Sequence, residues 1–318
     1  MSYKILISGY SGFVGKNLIA SLNSKFDIYG LSRNIDNNNQ SSIKKIFTWN
    51  NLSLADVSEV NCIIHLAGKA HDLKNTTDTA EYFSSNTSLT ANLFDMYIKS
   101  TATNFIYFSS VKAAADTVDG VLYEDVVPNP QTPYGQSKNK AEEYLLARDL
   151  PLGKRLFILR PCMIHGPGNK GNLNLLFKFV QKGIPYPLAA FNNQRSFLSI
   201  NNLNFIIEKL INNPAIPGGI YNICDDEPLS TTEVIKIIAH AVGLKPNIWK
   251  LNVSLVKFIA LVGDKVHLPL NTERLKKLTE SYTVSNQKIK NALNINQLPT
   301  SSEEGLMTTI KSFTTQSF

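Results

Sequence analysis

The 318-residue chain has little with which to staple or anchor a fold. It has only three cysteines, Cys62, Cys162 and Cys224, far apart and each inside an apolar run. An odd count without a Cys-x-x-Cys spacing excludes a disulfide framework and a cysteine zinc site, so reduced, buried thiols and no metal are expected. No apolar stretch reaches the eighteen or so residues a membrane span needs. The start of the chain carries neither a basic segment nor a cleavage pattern, which predicts a cytoplasmic protein that is not secreted. Charged residues make up only 18% of the chain. The 32 Lys and Arg outnumber the 25 Asp and Glu, a net +7 without a dense basic cluster; Arg274 with Lys276-Lys277 is the nearest to one. That balance disfavours nucleic acid and suits a phosphate-bearing small molecule; with no apolar run long enough to span, no membrane partner is expected either.

What is present in quantity is apolar residue, 43% of the chain, enough for a sizeable core, and the length suggests about two domains. The first half alternates short apolar runs with amphipathic stretches. Strands are predicted at Lys4–Ser8, Asp27–Leu31, Lys44–Thr48, Cys62–Leu66, Asn104–Ser109 and Leu156–Arg160. Helices are predicted at Phe13–Leu22, about Ala80–Lys99 and Tyr134–Leu146. Strands separated by helices of that length mean βαβ crossovers and a parallel sheet, buried on both faces. From Pro161 onward Pro, Gly and Asn punctuate shorter elements. Helices are expected near Leu173–Lys182, Leu203–Ile211, Thr231–Val242 (capped by Ser230), Leu255–Val262, Asn286–Leu293 and Ser302–Phe313, with strands near Ser196–Ile200 and Ile220–Ile223. The predicted division is a dinucleotide-binding domain over 1–160 and a smaller mixed α/β lobe over 161–318, some of whose strands return to the first sheet.

Directly after the first strand stands Gly9-Tyr10-Ser11-Gly12-Phe13-Val14-Gly15, a G-x-x-G-x-x-G turn opening a helix. Gly9 would turn the chain out of the strand, Gly12 would admit a pyrophosphate, and Gly15 would let the helix lie on the sheet. Free N–H groups of Ser11 to Val14 and the positive end of the helix suit the phosphates. The second strand ends in Ser32-Arg33 with no acidic residue there; Asp36 comes three residues later. A fixed cation at that place accepts a 2′-phosphate, which favours NADP over NAD.

Tyr134-x-x-x-Lys138 on a predicted helix puts phenol and ammonium on one face. A nearby ammonium is expected to lower the phenol's pKa, making Tyr134 a general acid or base near neutral pH. About one such spacing arises by chance in a chain with this many tyrosines and lysines. Its place is what counts: it follows the strand carrying Ser109 and Ser110, whose hydroxyls could share a substrate oxygen.

With these parts in order the chain resembles the extended short-chain dehydrogenase/reductase family of nucleotide-sugar epimerases, dehydratases and reductases. The marks are the glycine turn, His65-Leu66-Ala67-Gly68, Asn86, Ser109-Ser110, Tyr134-x-x-x-Lys138, and Arg160-Pro161 leading to Gly166-Pro167-Gly168. The resemblance implies a Rossmann-like doubly wound parallel sheet and a catalytic Ser110, Tyr134 and Lys138. It implies cofactor contacts from Leu66, Ala67, Gly68, Ser109 and Pro161 beside the glycine turn. It implies that Lys112, Asn172, Leu173, Arg195 and Arg274 (or Lys277) meet a UDP-sugar, and that two helices pair the chain into a homodimer. His65 is expected to be structural and Asn86 to tie loops.

Two departures narrow the chemistry. The 4,6-dehydratases carry Asp-Glu after the catalytic hydroxyl residue; here Val111-Lys112 follows Ser110, so elimination lacks its carboxylates. The usual Tyr before Gly-Pro-Gly is His165, expected to alter the substrate pocket. The segments Ser109–Lys112 and Gly168–Asn172 are most similar to a branch with 4-reductases of UDP-4-keto-6-deoxy-N-acetylhexosamine, which serve bacterial surface-polysaccharide synthesis. A UDP-hexose 4-epimerase and a non-catalytic dinucleotide-binding protein are the alternatives.

Overall fold

The computed structural model describes residues 2–34, 42–69, 78–169, 171–266 and 271–315, with Val266 and Lys277 described in backbone only. Asp36, the alternative ribose ligand, lies outside them. The strands are β1 (Lys4–Ser8), β2 (Asp27–Ser32), β3 (Lys45–Thr48), β4 (Cys62–His65), β5 (Asn104–Phe108), β6 (Val121–Leu122), β7 (Arg155–Pro161), β8 (Met163–His165), β9 (Phe197–Ser199), β10 (Gly219–Ile223) and β11 (Thr283–Val284). The α-helices are α1 (Phe13–Leu22), α2 (Leu54–Ser58), α3 (Thr79–Phe83), α4 (Leu89–Lys99), α5 (Pro133–Leu146), α6 (Asn172–Gln181), α7 (Ile200–Asn212), α8 (Thr231–Ala241), α9 (Val253–Val266), α10 (Thr272–Thr279), α11 (Gln287–Leu293) and α12 (Ser302–Thr315).

Seven strands form one sheet in the order β10-β7-β5-β4-β1-β2-β3. Every pairing in it is parallel. β4 is wholly buried, as is β5, which is why the central strands read as unbroken apolar runs. One core lies between the sheet and α1, α7 and α11; Ile5, Ile7, Leu18, Ile106, Leu203 and Ile289 are among its residues. A second, with Leu6, Ile63, Phe94, Tyr97, Phe105 and Leu145, fills the other face. The order reverses at β1, whose neighbours β2 and β4 lead away to opposite edges; in such sheets the crevice beyond the strand ends at this point takes the ligand.

β10, from beyond residue 160, pairs with β7 at the sheet's edge, Tyr221 opposite Leu159, so the second half does return a strand to the first sheet. α7 and α11 of that half also pack on the sheet, while α6, α8, α9, α10 and α12 surround a core of their own, which includes Phe177, Leu188, Ile238, Val256, Leu306 and Ile310. Ser230 caps α8 in a reciprocal box with Glu233.

Candidate active site

The turn after β1 builds the first wall. Gly9 has φ +71°, a left-handed conformation in which a Cβ would stand 2.9 Å from the Ala67 nitrogen. A Cβ on Gly15 would stand 2.5 Å from the Tyr10 carbonyl oxygen. Gly15→Ala is therefore expected to lose about 1–3 kcal/mol of stability and to weaken dinucleotide binding, read by thermal denaturation and nicotinamide fluorescence.

The second wall is the turn after β4. His65 is fully buried, its Nδ1 2.6 Å from Ser8 Oγ and its Nε2 2.9 Å from Thr90 Oγ1. Burial pushes its pKa down to about 3, the Lys138 charge adding to the effect, so it is a neutral, structural imidazole. Ser8 Oγ in turn accepts from the Ala67 N–H at 3.1 Å. Asn86 sits in a single π-helical turn, Ser84–Ser88, between α3 and α4. It accepts from Lys69 N at 2.7 Å and donates to Ser137 Oγ at 3.0 Å, tying this turn to the helix of the tyrosine. Such π-turns recur at functional sites.

Between these walls lies a cavity of about 410 Å³. Of the expected cofactor residues it is lined by Gly9, Ser11, Gly12, Ser32, Arg33, Leu66, Ala67 and Gly68. Trp49 also lines it, edge-on to His65 with ring centroids 6.0 Å apart. Arg33 is exposed at the end of β2. The Ser32 hydroxyl donates to the Asn34 carbonyl at 2.5 Å. Small glycines at the turn, free N–H groups at the start of α1 (whose cap Gly12 supplies no side-chain bond) and a cation at the far end fit a dinucleotide. Phe13 and Val14 are half-buried on the first turn of α1, and Val14 packs on the core. Pro161 is buried at the end of β7 opposite Ile223.

The tyrosine is placed by the start of α5. Thr132 caps the helix on Gly135 N and Pro133 opens it. Asp116 fixes that cap, accepting from Thr132 N at 3.0 Å and Thr132 Oγ1 at 2.9 Å. A Cβ on Gly135 would stand 2.4 Å from the Lys112 carbonyl oxygen. The absence of one lets this turn lie against the segment after β5, and Ser110 hydrogen-bonds Tyr134. Tyr134 is half-buried, with Tyr82 edge-on at 6.2 Å between centroids.

The electrostatics correct one expectation. Burial, the largest effect, raises the Tyr134 pKa, Tyr82 adds to the rise and the Ser110 hydrogen bond opposes it. The lysine does not bring it down because its ammonium is engaged elsewhere. Lys138 Nζ donates to the Phe108 carbonyl at 2.8 Å and lies 5.0 Å from the Tyr107 ring centre. A protonated phenol suits a group that must donate a proton.

Burial pushes the Lys138 ammonium down to about 8, with Glu142 opposing the fall. Between pH 8 and the ordinary lysine range the unfolded chain thus binds more protons than the folded one, so this group makes stability rise with pH. Lys138→Met is expected to stabilise the fold below pH 8. That gain should shrink as pH rises through the window, as urea denaturation at several pH values would show.

Three expected site residues are used otherwise. The Ser109 hydroxyl donates to Glu142 Oε1, beneath the sheet end and not into the cavity. Leu173 is 3% exposed and belongs to the lobe's core; Asn172 beside it is exposed at the start of α6. His165 is fully buried, with Nδ1 2.9 Å from Thr309 Oγ1, Nε2 3.6 Å from Asp225 Oδ2 and its ring edge-on to Phe197, so it is enclosed within the protein. Arg274 is exposed on α10.

Arg195 is half-buried, bridged to Leu229 and Tyr282, and donates from Nε to the Glu280 carbonyl at 3.1 Å. Lys112, one residue pair beyond Ser110, donates to the Asp116 carbonyl at 2.5 Å and lies 4.1 Å from the Tyr282 ring centre. Both cations are held below their usual pKa by burial first, and Arg195 adds to the fall at Lys112.

Sequence reasoning passed over Glu142. It is 1% exposed and its carboxylate takes Arg160 Nε at 3.0 Å and Nη2 at 2.5 Å. Its one sequence signal is its place a helical turn after Lys138.

A profile described as the NAD dependent epimerase/dehydratase family matches residues 5–224. The chain belongs to this family. The match and the seven-stranded parallel sheet are those of an enzyme of the extended short-chain dehydrogenase/reductase type. The chain is 31% identical over 271 residues to a UDP-glucose 4-epimerase of Vibrio cholerae, covering 80% of this chain and 79% of that protein. It is 24% identical over 253 residues to a GDP-6-deoxy-D-mannose reductase of Pseudomonas aeruginosa, covering 75% and 80%. The fold is similar to that of a UDP-glucuronic acid 4-epimerase from Bacillus cereus in complex with NAD. The TM-score there is 0.75 at 19% identity, with 98% of this chain and 99% of that one covered. No helix among the described residues is long and apolar enough to cross a membrane.

Proposed function

We propose that this enzyme reduces the 4-keto group of a nucleotide sugar, a UDP-4-keto-6-deoxy-N-acetylhexosamine of surface-polysaccharide synthesis, with NADPH. The observation that carries the reading is the composition of the acid–base set. It stops at Ser110, Tyr134 and Lys138, and the next two positions are Val111 and Lys112, whose ammonium is bound to a backbone carbonyl. No carboxylate stands there to abstract a carbon-bound proton, so chemistry is confined to a carbinol or its ketone.

When bound, the cofactor supplies a hydride to the carbonyl carbon or accepts one from it. Tyr134 gives its phenolic proton to the C4 oxygen, completing a hydroxyl. Ser110, bonded to the same phenol, orients that oxygen. The phenolate left behind keeps the Ser110 hydrogen bond, which favours it until a proton returns. Lys138, whose ammonium would stand 3.3 Å from a Cβ on Gly68, would hold the nicotinamide ribose. Lys112 and Arg195, each costly to bury charged, would be relieved by an anionic diphosphate. Asn172 and Arg274 are further proposed contacts to the nucleotide sugar, and a homodimer through α4 and α5 is the proposed assembly.

Arg33 supports NADPH over NADH. Arg33→Ala is expected to raise KM for NADPH roughly ten- to hundredfold and leave KM for NADH nearly unchanged, in parallel initial-rate assays; equal effects on both would remove the preference for NADPH.

The Vibrio cholerae relative favours a second reading, a UDP-hexose 4-epimerase. Incubating the protein with UDP-glucose or UDP-N-acetylglucosamine without added cofactor separates the two. The reductase leaves both sugars unchanged; redox-neutral conversion to the galacto epimers would replace it with the epimerase.

A further inference from the structure

Helix α9 is apolar on the side that faces away from the protein. Its buried stripe is narrow: Val256, Ala260 and Gly263. At 100° per residue the outward arc carries Leu261, Phe258, Val262 and Leu255, with Ser254 and Lys265 among them. Their side chains are well exposed, Phe258 at 62%, Leu261 at 56% and Leu255 at 51%; Trp249, just before the helix, is at 53%. A surface helix of a soluble domain puts polar residues on that arc.

The exposed charges on and beside α9 are three lysines against one acid, Asp264. Lys257 borders the apolar face, Lys265 stands on it one turn beyond Leu261, and Lys250 precedes the helix. Residues 244–280 carry seven Lys and Arg against three acidic residues. That short stretch therefore supplies four of the chain's net seven positive charges. A symmetric pairing of α9 with a second copy would bring this net basic segment against itself. An anionic lipid surface instead matches both features, the apolar face entering the headgroup boundary and the lysines meeting phosphate.

We propose that α9, with Trp249, docks the enzyme peripherally on an anionic bilayer surface. The inference is independent of the sugar substrate. It departs from the expectation of no membrane partner, which rested on the absence of long apolar runs; a helix lying in the interface needs none. α10 follows α9 and runs into Glu280–Tyr282, the segment that holds Arg195, so the docked face is coupled through one helix to the proposed diphosphate site.

The test is flotation of the full-length protein with vesicles of phosphatidylcholine alone or mixed equally with phosphatidylglycerol. The protein should float with the mixed vesicles, less so as salt rises, and not with phosphatidylcholine alone. The double variant Phe258→Ser, Leu261→Ser should lose about tenfold or more of the partitioning, with an unchanged melting temperature and unchanged turnover of soluble substrate. Should that variant not fold, Lys257→Glu with Lys265→Glu should lower binding to the anionic vesicles alone. No flotation with the mixed vesicles, or flotation that neither variant reduces, would overturn the proposal. So would a lipid-free dimer by light scattering that Phe258→Ser dissolves, which would give this face to a second copy.

Discussion

Tyr134→Phe is expected to lower kcat by about 10²–10⁴-fold while leaving the affinity for the dinucleotide within about twofold. The reasoning starts from position. Thr132 and Asp116 fix the first turn of α5, and Gly135 lets that turn lie against the strand end carrying Ser110. The phenol thus meets a second hydroxyl, that of Ser110. Burial keeps its proton in place at neutral pH. Removing one oxygen deletes that proton and little else, because the ring still packs edge-on against Tyr82. Steady-state turnover beside fluorescence titration of the cofactor checks both halves. A phenylalanine variant with near-native kcat would show that another group moves the proton.

The second large effect is on stability. Glu142→Gln keeps the volume of the side chain and removes its charge. Arg160 is 1% exposed and donates to that carboxylate from Nε and Nη2, and an amide leaves one oxygen to serve both Arg160 and the Ser109 hydroxyl. Leaving a buried guanidinium without its counter-charge costs about 3–5 kcal/mol, measurable as a lower urea midpoint at constant slope. Glu143, the next residue, makes an exposed pair with Lys140, and its Gln variant should change stability by no more than about 1 kcal/mol. Glu142→Gln combined with Arg160→Met should recover part of the loss, since the orphaned charge goes with its partner. If Glu142→Gln proves as mild as Glu143→Gln, the buried pair is not what holds α5 on the sheet.

The parts of this structure that local physics dictates were legible in the sequence. Central strands are buried on both faces, so Lys4–Ser8, Cys62–His65 and Asn104–Phe108 stand out as apolar runs. The glycine turn announces itself because only glycine tolerates the positive φ at position 9 and the close approach at position 15. The tyrosine and lysine sit on their helix at the spacing that puts them on one face. Contacts between distant segments were not legible. Leu173 and His165 fill the lobe's core against residues such as Thr309, a partner 144 positions away, so no local pattern separates them from pocket residues. Ser109 and Ser110 look alike in sequence. Alternation along the chain sends one hydroxyl to Glu142 and the other to Tyr134. Apolar periodicity located α9 but not the face it leaves uncovered, because the residues on both its sides are apolar. The π-turn at Ser84–Ser88 is hidden inside a continuous helical pattern, since one extra residue in a turn barely changes the periodicity.

The central claim is that this protein adds a hydride and the Tyr134 proton across a sugar C4 carbonyl. It is tested most directly by supplying UDP-4-keto-6-deoxy-N-acetylglucosamine with NADPH and following both reactants. The account predicts one reduced nicotinamide consumed for each new C4 hydroxyl seen by NMR, with neither change in Tyr134→Phe. A 4-keto sugar that persists unreduced while NADPH stays constant would contradict it.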